Sequence, residues 1–160
     1  MMYFLVARLS HPSTPDSQVT MDSAELIKLA KDVLEPSGAP LYGIEIRQPV
    51  FAFDGNLLSP VFCLIIRCRI RKLRREAIQL LKRYPRREGF WDSEMAVKVA
   101  EWFVSTEEEG LRDDEEVSPD LRLILVNNNF NMAERKTVVK CAWQVKGQTM
   151  EPLPPVLLQW

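Results

Sequence analysis

The sequence predicts a small, mainly α-helical domain of about four helices that ends in an antiparallel β-hairpin. Apolar residues recur at helical spacing up to residue 110, helix caps flank these stretches, and the apolar period changes to two after residue 120. A chain of 160 residues with 46% hydrophobic and 27% charged residues can bury one core. We expect an N-terminal segment and linker over residues 1–20, a helical domain over 21–118, and a hairpin with a Pro-rich tail over 119–160, packed on the same single domain.

The first two helices are predicted from their N-terminal signals. Asp22 is the expected cap of the first helix, since Glu25 follows at capping-box spacing, and Pro36 ends the run. Ser59, which precedes a proline, is the expected cap of the second helix. Residues 61–66 are apolar around most of the helical circumference, so this helix should lie at the centre of the core.

The next two helices follow a break predicted between residues 70 and 72. The third ends before Pro85, and its arginines are expected on the solvated face, opposite a buried face formed by Leu73, Ala77, Leu80, Leu81 and Tyr84. Asp92 is the expected cap of the fourth helix. Three glutamates, at positions 107–109, oppose the dipole at its C-terminal end, so that end should fray or lean on nearby arginines.

The C-terminal part has the period of β-strands. Residues 120–126 and 136–145 both alternate, and residues 127–135 between them tolerate turn geometry, which together predicts an antiparallel hairpin. The tail over 151–160 contains three prolines and is expected to be extended.

The charges are balanced overall but separated along the chain. The formal net charge is −1, yet residues 67–87 hold ten Arg or Lys residues against the single acid Glu76, and residues 88–120 hold twelve acids. The basic run therefore meets its neutralising partner within the same chain. This favours internal pairing or self-association, and we expect no direct binding to nucleic acid.

The sequence offers little metal or nucleophile chemistry. Cys63, Cys68 and Cys141 have no paired spacing, and the one histidine, His11, stands in a Ser/Pro-rich loop without an orienting partner. We expect reduced core thiols, no metal and no cofactor. Unpaired cysteines favour an intracellular location, nuclear or cytoplasmic. The apolar run at residues 3–6 is too short to cross a membrane, and none is expected as a partner.

Four acids lie beside apolar residues, where burial could raise their pKa: Glu45, Asp54, Glu88 and Asp92. They are the candidate catalytic residues, although a surface or capping role is the favoured interpretation. In the stretch RREGFWD (86–92), Arg86 and Arg87 are expected to pair with Glu88 and Asp92 and fix a turn, with Trp91 inserted below.

The stretch from Phe51 to Gly110 resembles the C-terminal part of the regulatory region of fungal zinc-cluster transcription factors. The resemblance rests on a Pro-Val-Phe start, a Cys-Arg pair, the sequence RREGFWDS and a final EEEG. Its most specific residues are Cys68, Arg69, Arg74, Arg75, Arg86, Arg87, Glu88, Gly89, Trp91, Asp92 and Trp102. Two departures stand out: the chain has no six-cysteine DNA-binding cluster, and Ile70 and Arg71 replace an expected Asp-Pro.

The resemblance implies a truncated, transcription-factor-like regulatory domain that acts through a protein partner or a small-molecule ligand. The alternative is a repurposed fold that converts a small molecule, for example a cyclase or isomerase, or that serves as an accessory protein in fungal secondary metabolism. A sealed core favours a protein partner. A deep cavity with convergent polar groups favours a small molecule.

We predict a homodimer, because an apolar segment such as residues 61–66 needs cover from the chain tails or from a second copy. Light scattering at micromolar concentration should give twice the chain mass. A stable monomer of 18.5 kDa would contradict this prediction.

Overall fold

The computed structural model describes residues 14–34, 50–52, 57–112, 121–145 and 150–160, and the single positions 5, 7, 115, 117 and 118. Four helices can be delimited within these residues: α1 (Asp16–Leu34), α2 (Leu58–Arg67), α3 (Arg71–Arg83) and α4 (Ser93–Glu107). None of the helices in this part of the chain has the length and apolar composition that a membrane span requires.

The helices are confirmed, but the mainly α class is too narrow because the strands form two sheets. The first is a three-stranded sheet in which β1 (Val50–Ala52) runs parallel to β2 (Arg86–Glu88), and β2 runs antiparallel to β3 (Trp91–Asp92). Gly89 takes a φ of 57° in the two-residue turn between β2 and β3, a conformation that glycine adopts without steric cost. The described chain is therefore a mixed α/β fold.

The second sheet contains four antiparallel strands instead of the predicted two. The hairpin strands β4 (Leu121–Asn131) and β5 (Lys136–Val145) are confirmed, and β5 also pairs with β6 (Met150–Pro152) and β7 (Val156–Gln159). The tail is extended as predicted. Its pairing with β5 was not predicted. Pro152 ends β6 opposite Ala142, and the prolines at 154 and 155 lie in the connection between β6 and β7.

The turn of the hairpin is shorter than the sequence predicts. Residues 127–131 belong to β4, and the turn covers only residues 132–135. The Asn131 side chain accepts hydrogen bonds from the backbone N–H groups of Ala133 (3.1 Å) and Glu134 (3.2 Å), and Arg135 has a φ of 51°. An asparagine side chain that bonds to the following backbone ends the strand and starts the turn.

The first helix begins six residues before its predicted cap. Asp22 is buried inside α1, where its Oδ1 accepts a hydrogen bond from Gln18 Nε2 at 2.7 Å, so the prediction that it caps the helix is wrong. Residues 16–20, assigned to a linker from their Ser and Thr content, extend the helix. Val19 is buried, and the burial of its apolar side chain stabilises this additional helical turn.

Helix α2 is the centre of the core, as its apolar composition predicts. Val61, Leu64 and Ile65 are at most 1% exposed, and Phe62 lies against Trp91 with ring centroids 5.3 Å apart. The surface that motivated the homodimer is thus covered within one chain. The homodimer remains a prediction, but the apolar segment at residues 61–66 no longer supports it.

The N-terminus of α2 is capped by a side chain from β2. Glu88 Oε2 accepts hydrogen bonds from the backbone N–H groups of Leu57 (3.0 Å) and Leu58 (2.9 Å), and Glu88 Oε1 lies 2.7 Å from Arg86 Nε. Ser59 was predicted as this cap, which is wrong: the N-cap position is Leu57, and no side chain within the helix start provides an acceptor. A buried carboxylate 31 residues away supplies it instead.

We expect Glu88→Ala to lower the stability of the fold by about 2 kcal/mol, because two buried backbone N–H groups lose their acceptor. The urea midpoint of unfolding measures this loss. Glu88→Gln keeps an acceptor oxygen and should fall between the alanine variant and the wild type. Glu101→Ala, which removes a half-exposed ion pair with Lys82, is the control and should change stability by less than about 1 kcal/mol. Equal midpoints for the two alanine variants would contradict the capping role.

Candidate functional site

A fully buried arginine lies where α2, α3 and α4 meet. Arg74 is 0% exposed; its Nε donates a hydrogen bond to the Ile65 carbonyl at 2.8 Å, and its guanidinium carbon lies 5.8 Å from the centre of the Phe103 ring. The sequence placed this arginine on the solvated face of its helix, which is wrong. A guanidinium can be buried here because acceptors reach it from two other elements.

Glu107 is the main counter-charge of Arg74. Its Oε2 lies 2.6 Å from Arg74 Nη2, and its Oε1 lies 3.1 Å from Arg69 Nη2 and accepts a hydrogen bond from the Leu123 backbone N–H at 2.9 Å. One buried carboxylate therefore connects α3, the α2–α3 link and the first residues of β4. This contact positions the C-terminal sheet against the helices.

Glu108 completes the ion-pair network. Its carboxylate lies 2.7 Å from Arg71 Nε, 3.3 Å from Arg74 Nη1 and 3.5 Å from Arg75 Nη2. The prediction that the acidic end of α4 leans on nearby arginines is confirmed at Glu107 and Glu108. Among the described residues, four guanidinium groups share two carboxylates in these contacts.

A pocket of about 260 Å³ lies directly beside this network. Three arginines line it, from the end of α2 (Arg67), the α2–α3 link (Arg69) and the start of β4 (Arg122). Asp16 is the one acidic residue among the described residues that line it. Hydroxyl and apolar groups complete the wall, namely Ser17, Val19, Thr20, Ile70, Val117 and Ser118.

Asp16 binds one of the three arginines. Arg122 donates from Nη1 to Asp16 Oδ1 (3.1 Å) and from Nη2 to Asp16 Oδ2 (2.6 Å), a two-point contact. The hydrogen bond from Arg122 holds the pKa of Asp16 below its ordinary value of 3.8, and the charges of Arg69 and Arg67 act in the same direction. All three arginines of the pocket thus lower the pKa of Asp16.

Two of the pocket arginines have donors without acceptors. Arg69 Nε and Arg122 Nε are both buried and have no hydrogen-bond partner among the described residues. The pKa of Arg69 is lowered to about 10, mainly by burial and also by the charges of Arg74, Arg122 and Arg67, while the charge of Glu107 acts in the opposite direction. Arg69 is therefore charged at neutral pH and is repelled by the neighbouring arginines. A bound anion would reduce this repulsion and accept a hydrogen bond from Arg69 Nε.

A second, more open cavity of about 440 Å³ lies between α3 and α4 on the other side of the network. Its charged residues are of both signs, with Arg71 and Arg75 opposite Glu101 and Glu108, and Glu108 binds both arginines. The two positive and two negative side chains of this lining balance each other.

Of the four candidate catalytic acids, the two that the structure describes both cap helices. Glu88 caps α2, and Asp92 caps α4 as predicted by accepting from the N–H groups of Glu94 (2.8 Å) and Met95 (3.3 Å). The other two candidates, Glu45 and Asp54, lie outside the described residues, as does His11. Both described acids thus bond to backbone at helix starts and lie outside the arginine pocket.

The residues of the family-like motif fall into two groups. Arg69, Arg74 and Arg75 belong to the ion-pair network, with Cys68 buried next to them and Trp102 packed on the core. The other group forms the β2–β3 hairpin under α2: Arg86, Arg87, Glu88, Gly89, Trp91 and Asp92. Arg86 pairs with Glu88 as predicted, whereas Arg87 is exposed and Asp92 serves as a cap.

The cysteines are reduced thiols, as predicted, and none is in a disulfide. Cys68 and Cys141 are buried and Cys63 is half-buried. Burial, together with the negative charge of Glu107, raises the pKa of Cys141 to about 11, so this thiol stays neutral near pH 7. Within the described ranges, no three His, Cys, Asp or Glu side chains are grouped closely enough to hold a metal ion.

The sequence did not single out the pocket itself. Asp16 and Arg122 are 106 positions apart, and Arg67 was read only as part of a basic run. The one local signal was the proximity of a basic and an acidic block in the sequence. This signal indicates that the blocks pair, but it does not show which arginines line a pocket.

The chain matches no family model, no curated protein and no solved structure.

The lowered pKa of Asp16 predicts a pH-dependent contribution to stability. Its carboxylate stabilises the fold above its unfolded pKa of about 4, and this contribution is lost as the pH falls through the lower folded value. The difference in urea midpoint between the wild type and Asp16→Asn should be constant from pH 7 to 5 and shrink towards pH 2. In an Arg122→Gln background the same substitution should show a much smaller pH dependence. A difference that does not change with pH would contradict the Asp16–Arg122 contact.

Proposed function

We propose that this chain is a non-catalytic regulatory domain whose ligand is a small anion bound by Arg67, Arg69 and Arg122. The observation that carries the proposal is the pocket itself: three guanidinium groups around one carboxylate, two of them with a buried Nε–H that has no acceptor among the described residues. An anion in this pocket would gain charge-assisted hydrogen bonds and satisfy those donors.

The size of the pocket limits the ligand. A volume of about 260 Å³ is below the lower end of the usual range for drug-sized ligands, roughly 300–1,000 Å³. It suits a phosphate, a pyrophosphate or a small di- or tricarboxylate better than a large apolar molecule. The hydroxyl groups of Ser17 and Thr20 would supply further contacts to anionic oxygens.

The regulatory role follows from the resemblance to the regulatory region of fungal transcription factors, and the ion-pair network supports it. Arg69 lines the pocket and also contacts Glu107, which holds the first residues of β4. A ligand that binds Arg69 therefore acts on the contact between the helices and the C-terminal sheet. This gives the domain a physical means of transmitting occupancy to a partner surface.

The alternative, an enzyme that converts a small molecule, has less support. General acid-base chemistry needs a titratable group within reach of the ligand. Asp16 is the acid that lines the pocket within the described chain, and its carboxylate is bound by Arg122 at two points with a lowered pKa. A carboxylate held in this way is a poor proton acceptor near neutral pH.

We expect pyrophosphate to raise the melting temperature at constant ionic strength. A ligand at ten times its Kd adds about 1.4 kcal/mol of stability, which corresponds to roughly 3–5 °C for a chain of this size. Differential scanning fluorimetry measures the melting temperature in pyrophosphate and in sodium chloride of the same ionic strength. Citrate serves as a second anion probe.

The matched control removes the same charge elsewhere. The double variant Arg67→Gln/Arg122→Gln should lose the response, whereas Arg83→Gln/Arg87→Gln, at two exposed positions outside the pocket, should keep it. Equal responses of both double variants would show that the anion acts on the whole surface and would reject the proposed pocket.

A further inference from the structure

We propose that Ser118 is a phosphorylation site and that its phosphate group binds in the arginine pocket, where it displaces the free anion. This inference rests on the proposed function because it assigns the regulation of the same pocket. The observation that carries it is that Ser118 lines the pocket together with Arg67, Arg69 and Arg122.

The position of Ser118 combines access with anchoring. The residue is exposed, so a kinase can reach its hydroxyl, while the preceding Val117 is only 4% exposed and belongs to the buried hydrophobic residues. Val117 therefore fixes the backbone at the rim of the pocket. A phosphate added to Ser118 is delivered next to the arginines at a high effective concentration.

The local sequence is suitable for a proline-directed kinase. The chain contains three Ser/Thr-Pro pairs, at Thr14, Ser59 and Ser118. Ser59 lies inside α2, and both Thr14 and Ser59 are half-buried, which leaves Ser118 as the exposed one. A proline also biases the residue before it towards an extended backbone, the form in which kinases bind their substrates.

The reaction is an ordinary phosphoryl transfer from a nucleoside triphosphate. A bond forms between Ser118 Oγ and the γ-phosphorus of ATP, the bond from that phosphorus to the β,γ-bridging oxygen breaks, and ADP leaves. The hydroxyl proton passes to a base of the kinase. The product carries a charge of about −1.5 to −2 and three acceptor oxygens.

The pocket is suited to this product. Arg69 Nε and Arg122 Nε lack acceptors among the described residues. Asp16, which binds Arg122, is the one acid among the described residues that line the pocket, and Glu107 binds Arg69 from outside it. A phosphate on Ser118 would supply acceptors for the two buried Nε–H groups. The phosphorylated and the anion-bound forms exclude each other, since both use the same arginines.

The experiment uses the full chain with phosphoserine incorporated at position 118. A ³¹P NMR titration should give a second phosphate pKa about one unit below its value in the urea-unfolded chain, because nearby positive charge favours the dianion. Arg67→Gln/Arg122→Gln should return the pKa to the unfolded value, and Arg83→Gln/Arg87→Gln should not. Identical folded and unfolded values would overturn the inference.

A competition measurement separates this inference from the proposed function. The phosphoserine protein should lose the rise in melting temperature that pyrophosphate gives the unmodified chain. If the unmodified chain responds and the phosphoserine protein responds equally, the pocket binds anions but Ser118 does not control it. If the unmodified chain does not respond while the phosphate pKa is lowered by the arginines, the proposed free ligand is wrong and the Ser118 contact stands.

Modification itself is tested with purified chain, ATP and a proline-directed kinase. Peptide mass spectrometry should locate the phosphate on Ser118 ahead of Thr14 and Ser59. Ser118→Ala should abolish the main product. Phosphate found first on Thr14 or Ser59 would contradict the assignment of the site.

Discussion

The contact between Arg74 and Glu107 links helices α2, α3 and α4 to strand β4. A guanidinium at 0% exposure has no water to solvate it, so its position is acceptable only while the carboxylates of Glu107 and Glu108 and the Ile65 carbonyl remain in place. These acceptors belong to the end of α4 and to α2, and Glu107 also bonds to the backbone of Leu123. The relative placement of α2, α3, α4 and β4 is therefore fixed by one charged cluster inside an apolar core.

The pocket beside this cluster has a mainly basic lining among the described residues. Glu107 and Glu108 are shared among several arginines, and their negative charge is used inside the network. Arg122 binds Asp16, and both line the pocket together with Arg67 and Arg69. A small anion is the kind of ligand that such a pocket selects, and a phosphate on the adjacent Ser118 is chemically the same kind of group. Ligand binding and modification thus use one arrangement of arginines.

Local signals predicted local structure well. The cap at Asp92, the break before α3 and the two hairpin strands follow from side-chain chemistry within a few residues, and all are present. The errors come from contacts over long distances. Glu88 caps a helix 31 positions away, and Val19 extends α1 through its burial, neither of which leaves a local pattern.

The candidate site shows the same limit more clearly. An arginine in a strongly basic amphipathic helix is exposed in most proteins, and the contact with Glu107 from another helix allows Arg74 to be buried in the core. The sequence correctly indicated that acids of α4 meet the basic run, since the two blocks are opposite in charge and close in the chain. It could not indicate that Arg67, Arg69 and Arg122 converge, because their meeting depends on the placement of β4.

A double-mutant cycle on Arg74 and Glu107 tests the central claim most directly. The variants Arg74→Met, Glu107→Gln and their combination are compared with the wild type by urea unfolding, with Arg75→Met and Glu108→Gln as a matched cycle on a pair whose arginine is 54% exposed. The account predicts a coupling energy of about 2 kcal/mol or more for the buried pair and less than about 1 kcal/mol for the exposed one. Additive effects at Arg74 and Glu107, within about 0.5 kcal/mol, would contradict it.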